Sequence, residues 1–264
     1  MKATRIFRQW QRAGERLGRQ LLALAAACAN GGTPRQIHDL RVTLRRFRFW
    51  ARVGKPLLRA PLRKRLAGWA HKVAGLTSRV RDIDASAEWL RSRRADSGTL
   101  ERFKQARVME WRQQQRRFRS PSPKLIEGLV QIEVTRGNAR LLRRRIRKLE
   151  EGFEDELGEL LPRFFKLDSP EQHEVRRVVR RWRYLREMLG DRKARGERAL
   201  LDHLLAVQAA VGDHQNIQLG LQLLAETLPA GAARVRLARR GQQAAIRQRR
   251  LIREAIRGLQ KELD

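Results

Sequence analysis

Carboxylates are scarce in this 264-residue chain: 28 Asp and Glu face 60 Lys and Arg, a formal net charge of +32. A surface so cationic repels itself, which disfavours a cationic partner and any site built mainly from carboxylates, and calls for a polyanion. Lysine is also rare. Only ten of the basic residues are Lys and fifty are Arg, the side chain whose planar fork suits bidentate contact with phosphate oxygens. The single cysteine, Cys28, excludes an internal disulfide and any multi-cysteine zinc site, and fits a reducing compartment. The longest apolar run is the nine residues from Leu21 to Ala29, far short of the ~20 a membrane span needs.

That run follows arginine-rich sequence and ends near Cys28, in outline like a secretory signal. The twenty residues before it are too long and polar for a signal's basic segment, and they include Glu15. Ile6, Phe7, Trp10, Leu17, Leu21 and Leu24 recur at three- and four-residue steps, which predicts an amphipathic helix stopped at Asn30-Gly31-Gly32.

Sustained strand alternation is absent, and no glycine-rich loop follows an apolar strand, so P-loop and Rossmann readings fail. The chain reads as all-α. Helices are predicted over 4–29, 35–53, 60–94 with a break near 80, and 99–118. After Ser120-Pro121-Ser122-Pro123 they are predicted over 124–165, 171–190, 196–211, 215–227 and 232–262.

The Ser-Pro segment nearly halves the chain, and the halves share a repeat. His38-Asp39-Leu40-Arg41-Val42-Thr43-Leu44-Arg45-Arg46-Phe47-Arg48-Phe49 returns 135 residues later as His173-Glu174-Val175-Arg176-Arg177-Val178-Val179-Arg180-Arg181-Trp182-Arg183-Tyr184. Arg81-Asp82-Ile83-Asp84 lies 134 residues before Gln215-Asn216-Ile217-Gln218. Two tandem helical units are expected, residues 1–119 and 124–264, joined by 120–123.

At 100° per residue, His38, Arg41, Arg45, Arg48 and Arg52 share an arc of roughly 80°. Leu40, Leu44, Phe47 and Ala51 lie about 100° away, toward a core. His173, Arg176, Arg180 and Arg183 trace the same arc. Stacked like charges weaken a bare helix, whereas a row of phosphates alongside turns the repulsion into charge-assisted hydrogen bonds. A bland reading, a solvated basic face, explains one copy better than it explains two.

The doubled His-x-x-Arg-x-x-x-Arg-x-x-Arg helix and the later Arg-Asp-x-Asp element resemble the CHAD family (conserved histidine α-helical domain) over essentially the whole chain. The resemblance implies two pseudo-symmetric four-helix bundles with a basic cleft or pore between them that binds inorganic polyphosphate. Carried onto this chain, its motif residues are His38, Arg41, Arg45 and Arg48, with His173, Arg176, Arg180 and Arg183. Arg52, Lys72, Arg79, Arg81 and His214 are candidates for further contacts. Gln215-Asn216 in place of Arg81-Asp82 leaves that element's role in the second half open. The alternating glutamates of the CYTH triphosphatase that precedes CHAD in some proteins do not occur here, so a stand-alone CHAD protein is expected, in the cytoplasm and with polyphosphate granules.

Other readings carry less. His38-Asp39 lacks the upstream histidine of an HD-type metal site. Asp82 and Asp84 fit salt bridges or a cap better than a metal pair, and no His cluster has ligand spacing, so neither metal nor cofactor is expected. His214, within Gly212-Asp213-His214-Gln215-Asn216, reads as a helix–helix junction. The six tryptophans mostly occupy apolar helical positions, so core is favoured over base stacking. Arg234–Arg257 reads as a final bundle helix with a basic face. The main rival function is nucleic-acid (RNA or DNA) binding, equally salt-sensitive; non-specific contact fits the charge, whereas reading a duplex groove asks for base-reading side chains on a protruding helix. An enzyme acting on polyphosphate is disfavoured because the repeated face has no carboxylate pair for metal and no placed base.

Overall fold

Thr33-Pro34-x-Gln36 and Asp168-Ser169-Pro170-Glu171 each launch a helix by the same device. Thr33 and Asp168 accept the backbone N–H of Gln36 and Glu171, whose side chains accept the cap residues' own N–H in return. The two caps stand 135 residues apart, so the repeat extends to the start signals of α2 (Pro34–Val53) and α7 (Ser169–Leu189).

The computed structural model describes residues 3–190 and 195–263, without the side chains of 195–197. The remaining helices are α1 (Ala3–Ala29), α3 (Ala60–Ser92), α4 (Ser97–Gln115), α5 (Pro123–Val130), α6 (Arg136–Leu160), α8 (Arg195–Thr227) and α9 (Ala232–Leu263), with a short 3-10 turn at Phe164–Lys166. No strand occurs among the described residues, so the all-α expectation holds. The register of the repeat reaches other boundaries: α3 and α8 end, and α4 and α9 begin, 135 residues apart.

Three predicted boundaries are corrected. The helix expected over 124–165 is two helices separated by residues 131–135, then closed at Leu160. Thr135 caps α6 by accepting the N–H of Asn138, while the Asn138 side chain donates to Glu133 O and Gln11 donates to Ile132 O. The helices expected over 196–211 and 215–227 are one, α8, running through Gly212-Asp213-His214. Gly212 does not end that helix; a Cβ there would lie 3.1 Å from the Arg176 guanidinium, so the glycine makes room for a cation. Nor does α3 break near residue 80.

The halves share their core. Its largest cluster joins α1, α2, the first half of α3, Trp111 of α4 and α5 through α7 with the start of α8 and the end of α9. A second joins the far ends of α3 and α8 to α4 and α9 through Trp89, Leu90, Phe103, Leu223 and Leu237. Leu21, Ala25 and Cys28 of the apolar run are fully buried in the first. Trp10 and Trp50 stack at 4.7 Å, each indole N–H donating to the other residue's carbonyl oxygen, and Gly14 allows the approach, since a Cβ would fall 2.3 Å from Trp50. Pro121 of the Ser-Pro segment is buried, so the join is packed against the body. No helix of the described residues is long and apolar enough to cross a membrane.

Candidate anion-binding groove

The shared core sets α2 beside α7, and Arg46 of α2 ties to Glu187 of α7 at 2.9 Å. Tyr184, the chain's single tyrosine, lies between them, with the guanidinium groups of Arg46 and Arg183 5.3 and 4.9 Å from its ring centre. Beside this contact opens a groove of about 660 Å³. Arg45, Arg48 and Arg52 of α2 line one wall, Lys55 and Arg63 extend it, and Arg177, Arg180 and Arg181 of α7 form the other. All eight charged side chains in the lining are cationic. Phe49, Ala51, Leu66, Ala67 and Tyr184 complete its lining.

Carboxylates stand behind that surface. Glu174 pairs with Arg177, and with Arg181 at 3.3 Å. The Glu156 carboxyl is pushed up by burial and then by Glu174, opposed by Arg181, Arg177 and Arg52. Glu174 thus orients Arg177 and Arg181, while the lining itself stays cationic.

The structure therefore brings Arg45, Arg48, Arg52 and Arg180 together and adds four cations that sequence reasoning did not single out. It directs the others elsewhere. Arg41 donates to Ala74 O and Thr77 Oγ1 of α3. Arg176 donates to Gln215 Oε1 of α8. Arg183 does not line the groove; it turns to Tyr184 and to Glu187, 3.6 Å away. His38 and His173 flank the arginine rows without lining the lumen. Among the further candidates, Arg81 neighbours His38, whereas Arg79 pairs with Glu226 at 2.8 Å and Lys72 lines a cavity on another face of α3. His214 lies within α8 and lines a small cavity with Phe165 and Arg249, so its expected place at a helix junction is corrected.

Arg45 is the centre of the repulsion. Burial is the first cause holding Arg41, Arg176 and Arg180 below the ordinary arginine range, and Arg45 is the next for each. Guanidinium groups stay charged at any physiological pH, so the strain remains as electrostatic repulsion until an anion enters. Arg45 Nε is itself buried without a hydrogen-bond partner. Arg45 is half-buried and forms no ion pair among the described residues, an arrangement costly to a fold and suited to an anionic ligand.

Both histidines sit below the usual imidazole range. His38 is lowered by burial first and then by Arg81 and Arg45, against Asp39 and Glu88; His173 by burial and then by Arg180, Arg176 and Arg177, against Glu174. A polyanion beside them reverses the local field and raises both, so binding takes up protons. Affinity for a long phosphate chain, whose ends are too few to matter, is expected to rise as pH falls from about 7.5 to 6. Below the free-protein value the gain levels off. The pair His38→Gln and His173→Gln should flatten this rise at fixed salt; an unchanged slope would remove the histidines from the site.

Among the described residues no three His, Cys, Asp or Glu gather as metal ligands. Asp84 pairs with Arg107 at 3.4 Å, and Asp82 neighbours Arg41, Arg79 and Arg81.

The CHAD domain family model matches residues 12–225. The chain belongs to the CHAD family. That family binds polyphosphate. Among solved structures, the CHAD domain from the plant Ricinus communis is similar at 18% identity and a TM-score of 0.65, over 97% of this chain and 90% of that one. PptA from Streptomyces chartreusis is similar at 16% identity and a TM-score of 0.55, over 94% and 98%. At these identities the likeness is one of fold. No curated protein sequence matches this CHAD chain.

Proposed function

We propose that this protein is a non-catalytic receptor for inorganic polyphosphate, held as a linear chain in the α2–α7 groove. One observation carries the reading: the eight charged side chains of the lining, from both copies of the repeat, are all cationic. A linear polyanion needs dense cations along a narrow path and no base-reading groups. Arg45, Arg48, Arg52 and Arg180 hold it, with Arg177, Arg181, Lys55 and Arg63. His38, Arg41, His173 and Arg176 tune the field at its edge. Arg183 contributes by fixing Tyr184 and Glu187. Residues 1–119 and 124–264 act as two equivalent units that each contribute one wall. A protein of this charge collects where the polymer does, on polyphosphate granules in the cytoplasm.

Chain length tests this reading. Each added phosphate engages another cation without a new translational cost, so long chains should displace a labelled chain at far lower molar concentration than tripolyphosphate, and orthophosphate hardly at all. Short and long chains competing equally per mole would contradict an extended groove. Tighter binding of duplex DNA of matched charge at physiological salt would favour a nucleic-acid function instead.

A further inference from the structure

Five of the six tryptophans are consumed by the core: Trp10, Trp50, Trp89, Trp111 and Trp182 are all at most 6% exposed. Trp69 is different. It stands half-buried on α3 and lines a cavity of about 450 Å³ between α3 and the segment joining α4 to α5. The groove takes Arg63, Leu66 and Ala67 from α3, and this cavity takes Arg65, Gly68, Trp69 and Lys72. On a 100° wheel these sets lie on opposite faces of the helix, with Val73 and Leu76 completing the cavity's apolar side from positions between and beside them.

The lining has three features of a built site. Trp69 is fixed, because its indole N–H donates to Arg119 O at 2.8 Å. The charged groups are Arg65, Lys72, Arg117 and Arg119, with no carboxylate among them. Ser120 and Ser122 add hydroxyls, and Ser122 does not spend its own on capping α5. An immobilised aromatic ring beside cations recognises a flat π-system that carries negative charge. A volume of this order suits one small ligand.

We infer that this cavity is a second ligand site, for a nucleoside triphosphate whose base lies against Trp69 and whose phosphates meet Arg65, Lys72 and Arg117. Inorganic phosphate chains leave the ring unused. A nucleic-acid strand asks for successive stacking surfaces, whereas Trp69 is the one aromatic in this lining and Phe118 of the adjoining Arg112–Arg116 cavity is only 2% exposed.

The test uses the full chain carrying Arg45→Met and Arg180→Met, which weakens phosphate capture in the groove. ATP and tripolyphosphate are titrated by calorimetry, with tryptophan emission followed in parallel. ATP should bind about tenfold more tightly than tripolyphosphate and quench emission. Trp69→Ala should erase that advantage, and Trp69→Phe should keep most of it. Should Trp69→Ala fail the circular dichroism check, Lys72→Ala with Arg117→Ala carries the test. That pair should lower ATP affinity about tenfold while leaving long-chain polyphosphate binding to the unmodified groove intact. Equal affinities for ATP and tripolyphosphate, or an ATP advantage that survives loss of Trp69 or of the two cations, would overturn the site. So would a single-stranded oligonucleotide binding tenfold more tightly than ATP, which would make it a strand site. None of these outcomes bears on polyphosphate in the groove.

Discussion

Replacing Arg45 and Arg180 by Met is expected to weaken binding of long-chain polyphosphate about a hundredfold, from two charge-assisted contacts worth roughly 1–3 kcal/mol each. The same change should stabilise the free protein. Arg45 holds down Arg41, Arg176, Arg180 and His38, and its Nε is buried without a partner. Met keeps the apolar stem and drops the charge, so the packing of the stem survives. Relief of about 1 kcal/mol raises the unfolding temperature of a domain this size by about 2–4 °C. Thermal unfolding at low salt without ligand, and affinity at fixed salt with it, should move in opposite directions. A variant that loses both stability and affinity would mark Arg45 as a structural residue.

The second large effect is in the clamp that seats α2. The turn between α1 and α2 offers three carbonyl oxygens to α4: Ala29 O accepts from Gln115, Gly31 O from Trp111, and Gly32 O from Arg107 at 2.7 Å. Arg107 also pairs with Asp84, their side chains being 15% and 7% exposed. Arg107→Ala strands a buried carboxylate and is expected to cost about 3–5 kcal/mol of folding stability. Asp84 already titrates above its ordinary value because burial outweighs the attraction of Arg107 and Arg81, and without Arg107 it rises further. A carboxyl raised on folding penalises the folded state above its folded-state pKa, and the penalty fades as pH falls through that value. Denaturant unfolding should therefore show the gap between variant and parent widest near pH 7.5 and narrower near pH 5. Adding Asp84→Asn to Arg107→Ala should recover part of the loss at pH 7.5. A gap equal at both pH values would show that Asp84 is not the stranded group.

The helical class and the α2 wall were legible in the sequence because both follow from periodicity, and Arg45, Arg48 and Arg52 line the groove on the arc a helical wheel assigns them. Of the α7 wall, only Arg180 was. A repeat search keeps what both copies share, and Arg177 stands opposite Val42 in the first copy, so it drops out of the common pattern. Arg183 fits the pattern yet leaves the groove, because Glu187 occupies the position of Arg52 in the first copy and draws Arg183 and Arg46 to itself. Arg63 carries no motif and reaches the groove only because α3 starts beside α2. Gly212 reads as a breaker by composition, but its missing Cβ serves Arg176 from a neighbouring helix, a tertiary fact that local sequence does not contain. The interruption at 131–135 was visible in part, since Ile132, Val134 and Thr135 are β-branched and Thr135 is a good cap.

The central claim is that a defined groove, rather than the overall charge of +32, selects the ligand. Two paired variants compared at one salt concentration test it most directly. Arg45→Met with Arg180→Met removes two charges from the groove; Arg236→Met with Arg247→Met removes two exposed charges from α9. The global field changes equally in both. The groove pair should lose about a hundredfold in affinity for long-chain polyphosphate while the α9 pair stays within about twofold. Equal losses in the two would contradict the groove and leave a uniformly cationic surface as the binder.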